Sequence, residues 1–412
     1  VRQVVAATGA VTSLYPLVAG ASKGVAVHPH GTVLYVANTD NNLVLSLTTG
    51  YTAPPSPAPT AVPSPEPTTT WGVLEVVAGS PTGLTGSTNG VGTNAKFNQP
   101  YDVASTADGA TLVVADTYSS RVRKIDLASG VVSTLGSGFS FPAGVGVTWD
   151  GTLAFVADTV NNRVKQIVVA TGATTTLAGA SAAGAADGVG TNARFSQPVG
   201  LAVSSEAANG VVLWTCDRNN HKLRMVVVGT REVLTVAGTG SPGFADGTGT
   251  NAAFNEPYSV AATADGTVAY VADTNNHRVR LVSIGFETSV TTLAGSGAAG
   301  AADGVGTHAA FDTPTGVAIL NDKDGNREDL GQSLLFVTDL GSGRVRRIVA
   351  ATGAVSTLYP LVGGAPRGVA VRGDGTHVYI SDTGSHLIRS LSTRITNPPT
   401  QVPTPVPSTE PT

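Results

Sequence analysis

Histidines are the residues of this 412-residue chain best suited to proton transfer or metal binding. The chain has seven: His28, His30, His221, His277, His308, His377 and His386. Three of them, His221, His277 and His386, occupy the same place in different copies of a repeated motif, so we expect separate structural units to hold them apart. We therefore interpret the histidines as exposed turn residues and expect no histidine metal site.

An acidic insertion, NDKDGNRED at 321–329, holds the densest set of oxygen ligands. Its side-chain oxygens alternate around a glycine, which resembles a calcium loop; the candidate ligands are Asp322, Asp324, Asn326 and Glu328. However, the glycine is misplaced for an EF-hand, and no bidentate glutamate follows at the required distance. We interpret the segment as a solvated hairpin in preference to a metal site.

Charge and cysteine content exclude several classes of protein. The net charge is −4 and no basic stripe exists, which disfavours nucleic-acid binding. No apolar run approaches the roughly 18 residues that a membrane span needs. Cys216 is the only cysteine, so the chain has no internal disulfide and no cysteine-based zinc site. Cys216 replaces the usual alanine of a buried strand and is expected to behave as a small hydrophobe.

A motif with a central aspartate recurs six times. Clear copies are VVADTYSSRVRKI at 113–125, FVADTVNNRVKQI at 155–167, YVADTNNHRVRLV at 270–282 and FVTDLGSGRVRRI at 336–348; looser copies lie at 213–225 and 378–390. An arginine follows several of the aspartates at a spacing of five, which suits an aspartate that caps a tight turn. The repeated positions are Asp116, Arg121, Asp158, Arg163, Asp217, Asp273, Arg278, Asp339, Arg344 and Asp382. Because an active site occurs once, we assign these residues an architectural role.

Each copy belongs to a unit of four short strands, and helix periodicity is nearly absent. Four-stranded units at this spacing are blades of a β-propeller, so the sequence predicts an all-β chain with a six-bladed ring. The sixth blade has three strands, and residues 72–77 would supply the fourth by pairing near 387–391. A seven-bladed ring is the alternative, in which residues 23–47 form an extra blade that 72–77 completes, and residues 10–17 close blade six.

The blade motifs resemble those of the NHL-repeat family of propellers over nearly all of 71–393. The shared pattern is Pro-x-Gly-Val-Ala, then Val-Ala-Asp-Thr-x-Asn-x-Arg-Val, then Thr-Leu-Ala-Gly, with Gly-rich segments such as ADGVGTNARF at 186–195. Some relatives with NHL repeats are metal-dependent lyases, but their histidine ligands have no counterparts here that we can match. The inner strands are expected to line a channel with small residues, and Asp102 is the one acid expected near it.

A second repeat covers whole domains. Residues 1–68 align without a gap to 345–412, at an offset of 344 residues, and 39 of these 68 positions are identical. The predicted organisation is therefore the last blade and a half of a preceding propeller at 1–50, a Pro-rich linker at 51–70, a six-bladed propeller at 71–396 and a second linker at 397–412. This arrangement is typical of a window onto a longer tandem array.

The two linkers have proline at nearly every second position, which favours extended polyproline II. They resemble hydroxyproline-rich glycoproteins of plant and green-algal walls, and that resemblance implies O-linked sugar on proline, serine or threonine. The candidate positions are Pro54, Pro55, Ser56, Pro57, Pro59, Thr60, Pro63, Ser64, Pro65, Pro67, Thr68, Thr69, Thr70, Pro398, Pro399, Thr400, Pro403, Thr404, Pro405, Pro407, Ser408 and Pro411. Sugar would also supply solubility to a chain with only 13% charged residues.

These features together predict a structural subunit of an extracellular fibre, located in a cell wall, on a cell surface or in a shed filament. Its expected partners are tandem or neighbouring copies of the same chain and covalent O-linked glycans, with no nucleic acid, no membrane span and no cofactor. The alternative is an extracellular propeller that binds protein or glycan ligands. An enzyme is the weakest of the three hypotheses.

Overall fold

The structure is a computed structural model that divides into two compact units, Val1–Thr68 and Thr69–Thr412. It describes residues 71–393 except 209, 286, 321–332 and 361–363. It also describes five strands of the first unit, which are Arg2–Val4, Val11–Ser13, Ser22–Val27, Val33–Asn38 and Leu43–Thr48. The acidic insertion with Asp322, Asp324, Asn326 and Glu328 lies outside the described residues, and so do the glycosylation candidates of both linkers.

The second unit is a six-bladed β-propeller, as predicted, with antiparallel strands in every blade. The inner strands of blades 1 to 6 are Pro100–Ser105, Pro142–Val147, Pro198–Ser204, Pro257–Ala262, Pro314–Leu320 and Pro366–Val371. The second strands are Thr111–Asp116, Leu153–Asp158, Val212–Asp217, Val268–Asp273, Leu334–Asp339 and His377–Asp382. The third strands are Arg121–Asp126, Arg163–Val168, Lys222–Val227, Arg278–Ser283, Arg344–Val349 and Leu387–Thr393. The outer strands are Val131–Thr134, Thr174–Gly179, Glu232–Ala237, Ser289–Ala294, Ala354–Pro360 and, for blade 6, Trp71–Ala78.

The ring closes through blade 6, whose outer strand comes from the start of the unit. Trp71–Ala78 pairs antiparallel with Leu387–Thr393, with Ile388 opposite Ala78 and Thr393 opposite Trp71. This confirms the predicted closure. The seven-bladed alternative is wrong, because the strand that would have completed an extra blade is used to close the sixth. Joining the two ends of the unit in one sheet removes the open edges that a ring would otherwise present.

Gly-rich segments add a two-residue strand outside the outer strand of blades 1, 3, 4 and 5. These strands are Gly90–Val91, Gly188–Val189, Gly247–Thr248 and Gly304–Val305, and each leads into a short 3-10 turn at Gly92–Asn94, Gly190–Asn192, Gly249–Asn251 or Gly306–His308. Further 3-10 turns join the second and third strands at Thr117–Ser119, Thr159–Asn161, Arg218–Asn220 and Thr274–Asn276. The Gly-rich segments therefore belong to individual blades.

The strands of the first unit repeat the pattern of the last blade and a half of the ring. Val11–Ser13 pairs with Arg2–Val4, and the other three strands form one sheet. Moved by 344 residues, Ser22–Val27 and Val33–Asn38 coincide with the inner and second strands of blade 6. The registers coincide as well, since Val33 pairs with Thr48 as His377 pairs with Ser392. The sequence repeat is thus also a repeat of strand positions and pairing.

All six repeated aspartates are completely buried, as an architectural role requires. Each accepts a hydrogen bond, of 2.6 to 3.0 Å, from a backbone N–H just before the inner-strand proline of its own blade, two residues before it in blades 1 to 5 and one residue before it in blade 6. In blade 1, for example, the donor to Asp116 is the N–H of Asn98 at 2.7 Å. The aspartate therefore fixes the segment that leads into the inner strand.

The arginine five residues after the aspartate is not its ion-pair partner in most blades. The arginine seven residues after the aspartate forms the ion pair in five of them: Asp116–Arg123, Asp217–Arg224, Asp273–Arg280, Asp339–Arg346 and Asp382–Arg389. Arg121, Arg278 and Arg344 instead donate to backbone carbonyls. Among the arginines at a spacing of five, Arg163 does bond its aspartate, Asp158, with 2.7 Å between Nε and Oδ2.

The Gly-rich segment explains which arginine is buried. In blade 3, Arg224 bonds Asp217 on its inner side and Asp187 of the segment on its outer side, both between 2.7 and 2.8 Å. Its guanidinium also lies over Phe195, the last residue of the segment, at 5.1 Å from the ring centroid. The arginines of blades 1, 4 and 5 lie in the same way over Phe97, Phe254 and Phe311.

Among the described residues, blades 2 and 6 have no Gly-rich strand, and the residue seven positions after the aspartate differs accordingly. Blade 2 has Lys165 at this place, and its ammonium group donates to the carbonyls of Ser137 and Gly138. In blade 6, Arg389 still bonds Asp382, but its side chain is 22% exposed, whereas Arg123, Arg224, Arg280 and Arg346 are fully buried. A fully buried arginine therefore occurs in this ring where a Gly-rich segment covers it.

Two arginines of blade 1 allow a test that distinguishes the buried ion-pair partner of the aspartate from the exposed arginine that bonds a backbone carbonyl. We expect Arg123→Met to lower the free energy of unfolding by about 3–5 kcal/mol, because it leaves the buried Asp116 carboxylate without a counter-charge. Arg121 lies two residues earlier and its side chain is exposed, so Arg121→Met should change the free energy of unfolding by less than about 1 kcal/mol. Urea unfolding followed by circular dichroism measures both. Equal losses for the two variants would contradict the assignment of Arg123 as the structural partner.

Candidate functional site in the central channel

The six inner strands line a central channel that has two different ends. Every inner strand begins with proline at the end where the second strand turns into the third, and we call this end the turn face. Every inner strand ends at the opposite end, which we call the far face. The six residues directly after the prolines form one layer around the channel, and the six residues two positions after the prolines form a second layer.

The channel widens toward the far face into a cavity of about 570 Å³. Its wall is mainly alanine, valine, leucine and isoleucine of the inner strands, as predicted for the channel. Asp102 lines this cavity, and so does Asp374, which the sequence analysis did not place there. Asp374 pairs with Arg372 at 3.1 Å near the rim, so Asp102 is the acid on the inner-strand wall.

Asp102 joins two neighbouring inner strands. Its Oδ1 accepts the N–H of Val103 at 2.9 Å, and its Oδ2 accepts the N–H of Val145 in blade 2 at 3.0 Å. On its other side lies blade 6, where only a glycine fits, because a Cβ on Gly368 would collide with Asp102. Burial raises the pKa of Asp102 to about 7, although both backbone donors act to lower it.

The ring of residues at the turn face carries three large polar side chains. Its members are Tyr101, Ala143, Val199, Tyr258, Thr315 and Arg367. Arg367 reaches across from blade 6 to blade 4, where its Nη1 donates to the Tyr258 hydroxyl at 3.2 Å. Its guanidinium also lies over the ring of Tyr101, 4.2 Å from the centroid. Together these groups narrow the channel at this end.

A second cavity, of about 410 Å³, opens above this ring at the turn face. One side is aromatic: Tyr101 and Phe141 line it, and Tyr118 packs against both from outside the cavity, with centroid distances of 4.5 to 6.1 Å among the three rings. On another side, Arg218 and Glu256 form an ion pair at 2.6 Å. We call this cavity, with its aromatic side, the turn-face mouth.

The three equivalent histidines are hydrogen-bond acceptors between blades, and they are half-buried, which corrects the expectation of exposed turn residues. Nδ1 of His221 accepts the N–H of Glu256 at 3.1 Å, and Nδ1 of His277 accepts that of Thr313 at 3.1 Å. His386 accepts the N–H of Gln99 at 3.0 Å across the ring closure. The ring keeps the three apart, as predicted.

The remaining candidates show no site among the described residues. Cys216 is fully buried, and burial raises the pKa of its thiol well above the ordinary value. Within the described part of the chain, no three His, Cys, Asp or Glu side chains are grouped so that they could hold a metal ion. No helix there is long and apolar enough to cross a membrane.

Comparisons of sequence point to NHL-repeat proteins, although no family model matches the chain. NHL repeat-containing protein 2 of Bos taurus is 33% identical over 197 residues, which is 47% of this chain and 22% of that protein. The Arabidopsis thaliana protein SUPPRESSOR OF QUENCHING 1, chloroplastic, is 27% identical over 199 residues, or 48% of this chain and 15% of that protein. The chain thus spans about a fifth of the length of the curated relatives that it matches.

Solved structures show the same fold at low identity. An auxiliary nutrient binding protein from Bacteroides thetaiotaomicron matches with a TM-score of 0.60 and 14% identity, over 88% of this chain and 83% of that one. A gluconolactonase from Xanthomonas campestris matches with a TM-score of 0.53 and 14% identity, over 78% and 89%. The fold therefore defines a six-bladed β-propeller. The curated relatives support NHL repeats as the type of its blades.

The turn-face mouth is the feature that sequence reasoning missed. Arg367 and Tyr258 are 109 residues apart and lie in blades 6 and 4. One signal was available: the residue after the inner-strand proline is uncharged in the other five blades, and Arg367 breaks that pattern. Reading the position around all six blades would have singled it out.

The raised pKa of the Asp102 carboxyl predicts how the stability of the fold depends on pH. Its pKa is about 7 in the folded state against an ordinary value of 3.8, so between these values unfolding releases a proton. The stability of the native chain relative to Asp102→Asn should therefore fall as the pH rises from about 4 to about 7, and stay level above that. Urea unfolding of both proteins across this range measures the difference. A relative stability that rises with pH would show that the fold favours the charged carboxylate.

Proposed function

We propose that this chain is a structural segment of an extracellular fibre in which β-propellers alternate with stiff, O-glycosylated, Pro-rich spacers. The 344-residue repeat carries the proposal. It covers 68 residues, continues into the Pro-rich sequence, and recurs in the strand positions and registers of the first unit. A chain in which the end of a ring, followed by a linker, occurs twice suits a tandem array of rings.

The ring closure supports the same function. Trp71 and Thr393 are paired residues at the far face, in the two outermost strands of blade 6. The two linkers therefore join the ring at neighbouring points on one edge. Because the closing strands are hydrogen-bonded to each other, each ring is a finished unit that can be repeated along a polypeptide without sharing strands.

An extracellular propeller that binds a ligand is the second candidate, favoured by the 570 Å³ cavity with Asp102 in its wall. We further propose that the chain is not an enzyme. In the described residues the recurring charged pairs are architectural, and Asp102 has no second acid on the inner-strand wall to form an acid–base pair with. The structural likeness to a gluconolactonase is at 14% identity and concerns the fold alone.

Residues 1–50 provide a test of assembly. Among the described strands Leu43–Thr48 is paired on one side only, whereas its counterpart Leu387–Thr393 is paired on both. An unpaired strand edge is a site of association. We expect the chain 1–412 to self-associate at micromolar concentration and a chain of residues 71–396, which lacks both linkers, to remain a single ring.

Light scattering of the two chains measures this difference, and electron microscopy of native material should show extended strings of rings. A compact, monodisperse monomer of the longer chain would overturn the fibre.

The linkers provide a test of glycosylation. We expect native peptides covering residues 53–70 to carry hydroxyproline and sugar, as their resemblance to hydroxyproline-rich glycoproteins implies. The sugar must be O-linked, because the chain has no Asn-x-Ser/Thr sequence for N-linked sugar. Mass spectrometry of native material measures the added mass, with peptides from the buried second strands as unmodified controls. Linker peptides found at their unmodified mass would refute this part of the proposal.

A further inference from the structure

Arg367 at the turn-face mouth is a cation without a carboxylate partner in the described part of the chain. Its recorded contacts are the Tyr258 hydroxyl and the faces of two tyrosine rings, and its Nε has no hydrogen-bond acceptor. The other arginine at this mouth, Arg218, is already paired with Glu256. An arginine that is half-buried and faces a cavity binds best to a carboxylate, which its planar donors match.

The aromatic side of the mouth indicates what else the ligand must offer. Tyr118 is 47% exposed although its ring packs 4.5 Å from Phe141, and Val160 beside them is 53% exposed. Surfaces of adjoining aromatic rings are the usual receptors for Pro-rich segments, because the polyproline II backbone is already extended and loses little entropy on binding. The mouth therefore combines the features that suit proline next to a carboxylate.

The chain itself contains two segments with this chemistry. Residues 53–70 and 397–412 are Pro-rich, and each carries a single charged residue, Glu66 or Glu410, in the shared sequence Glu-Pro-Thr. We propose that the turn-face mouth of one ring binds a Pro-rich segment of a second copy of this chain, with its glutamate on Arg367 and its prolines on Tyr118 and Phe141.

The positions of the chain ends favour a second copy over the same ring. Trp71 and Thr393 lie at the far face, whereas Arg367 and the aromatic side lie at the turn face. Both Pro-rich segments are therefore attached at the end of the ring opposite its own mouth. A contact from the far face of one copy to the turn face of the next is heterologous, and repetition of such a contact builds a line or a helix. The inference therefore rests on the proposed fibre and names one of its contacts.

The test is a calorimetric titration of the full chain with a synthetic peptide of residues 53–70. We expect saturable binding that weakens at least about tenfold with a Glu66→Gln peptide, because the charge-assisted hydrogen bond to Arg367 is lost. Arg367→Met in the full chain should weaken the native peptide by a similar factor, and Tyr118→Ala should weaken it several-fold. Arg372→Met is the matched control, since this arginine lies just beyond the other end of the same inner strand, and it should leave binding unchanged.

The Glu66→Gln peptide needs no altered ring, so the test holds even where a ring variant folds poorly. No binding of the native peptide at millimolar concentration, or binding indifferent to Glu66 and Arg367, would overturn the proposal. A peptide with every proline replaced by alanine that bound equally well would overturn it too, since the mouth would then take any carboxylate. If the full chain self-associates but does not bind the peptide, the proposed contact is refuted and the proposed fibre is not. If the chain binds the peptide but stays monomeric, the proposed fibre is refuted and the contact is not.

Discussion

The buried aspartate–arginine pair is the interaction on which every other feature of a blade depends. Taking two charges out of water costs several kcal/mol, and good geometry with additional hydrogen bonds is needed to offset that cost. Both terminal nitrogens of Arg123 find partners, in Asp116, Asn89 and the carbonyls of Lys96 and Thr88, whereas its Nε has none among the described residues. These partners come from a second strand and from the Gly-rich segment, so the pair forms only when both are in place. Blade 2, which lacks the segment, has a lysine in place of this arginine.

Close packing of the inner strands sets the character of the channel. A Cβ on Gly200 would lie 2.6 Å from the backbone of blade 4, and Gly368 is similarly confined by Asp102. Side chains of any size are therefore excluded from most of this layer, where Asp102 and Ser259 are the larger members. Function in this ring is consequently confined to the wider cavities at the two ends.

The repeat period of the sequence was sufficient to predict the ring, its closure and an architectural role for the aspartates, because each follows from a pattern that recurs along the chain. The partner of the aspartate could not be predicted, because Arg121 and Arg123 lie on the same side of one strand. The fold of the Gly-rich segment over Arg123 decides between them, and that contact joins residues about 35 apart. Arg367 and Tyr258 were missed for a related reason: their contact depends on the curvature of the ring, which brings an arginine of blade 6 within reach of a tyrosine two blades away. The three histidines were placed correctly in turns, but their acceptor role depends on a neighbouring blade.

The closure of blade 6 also determines how a ring would respond to a pulling force. Trp71 and Thr393 are partners in the last rung of an antiparallel ladder, so tension on the two linkers acts across the strands and along the hydrogen bonds. Such a load opens a ladder one rung at a time, whereas a load along the strands must break all rungs together. A string of these rings would lengthen under modest tension by peeling open single closures, and each peeled strand could re-pair when the load is released. In such a string, the closing strand would let each ring open under load and close again when the load is released.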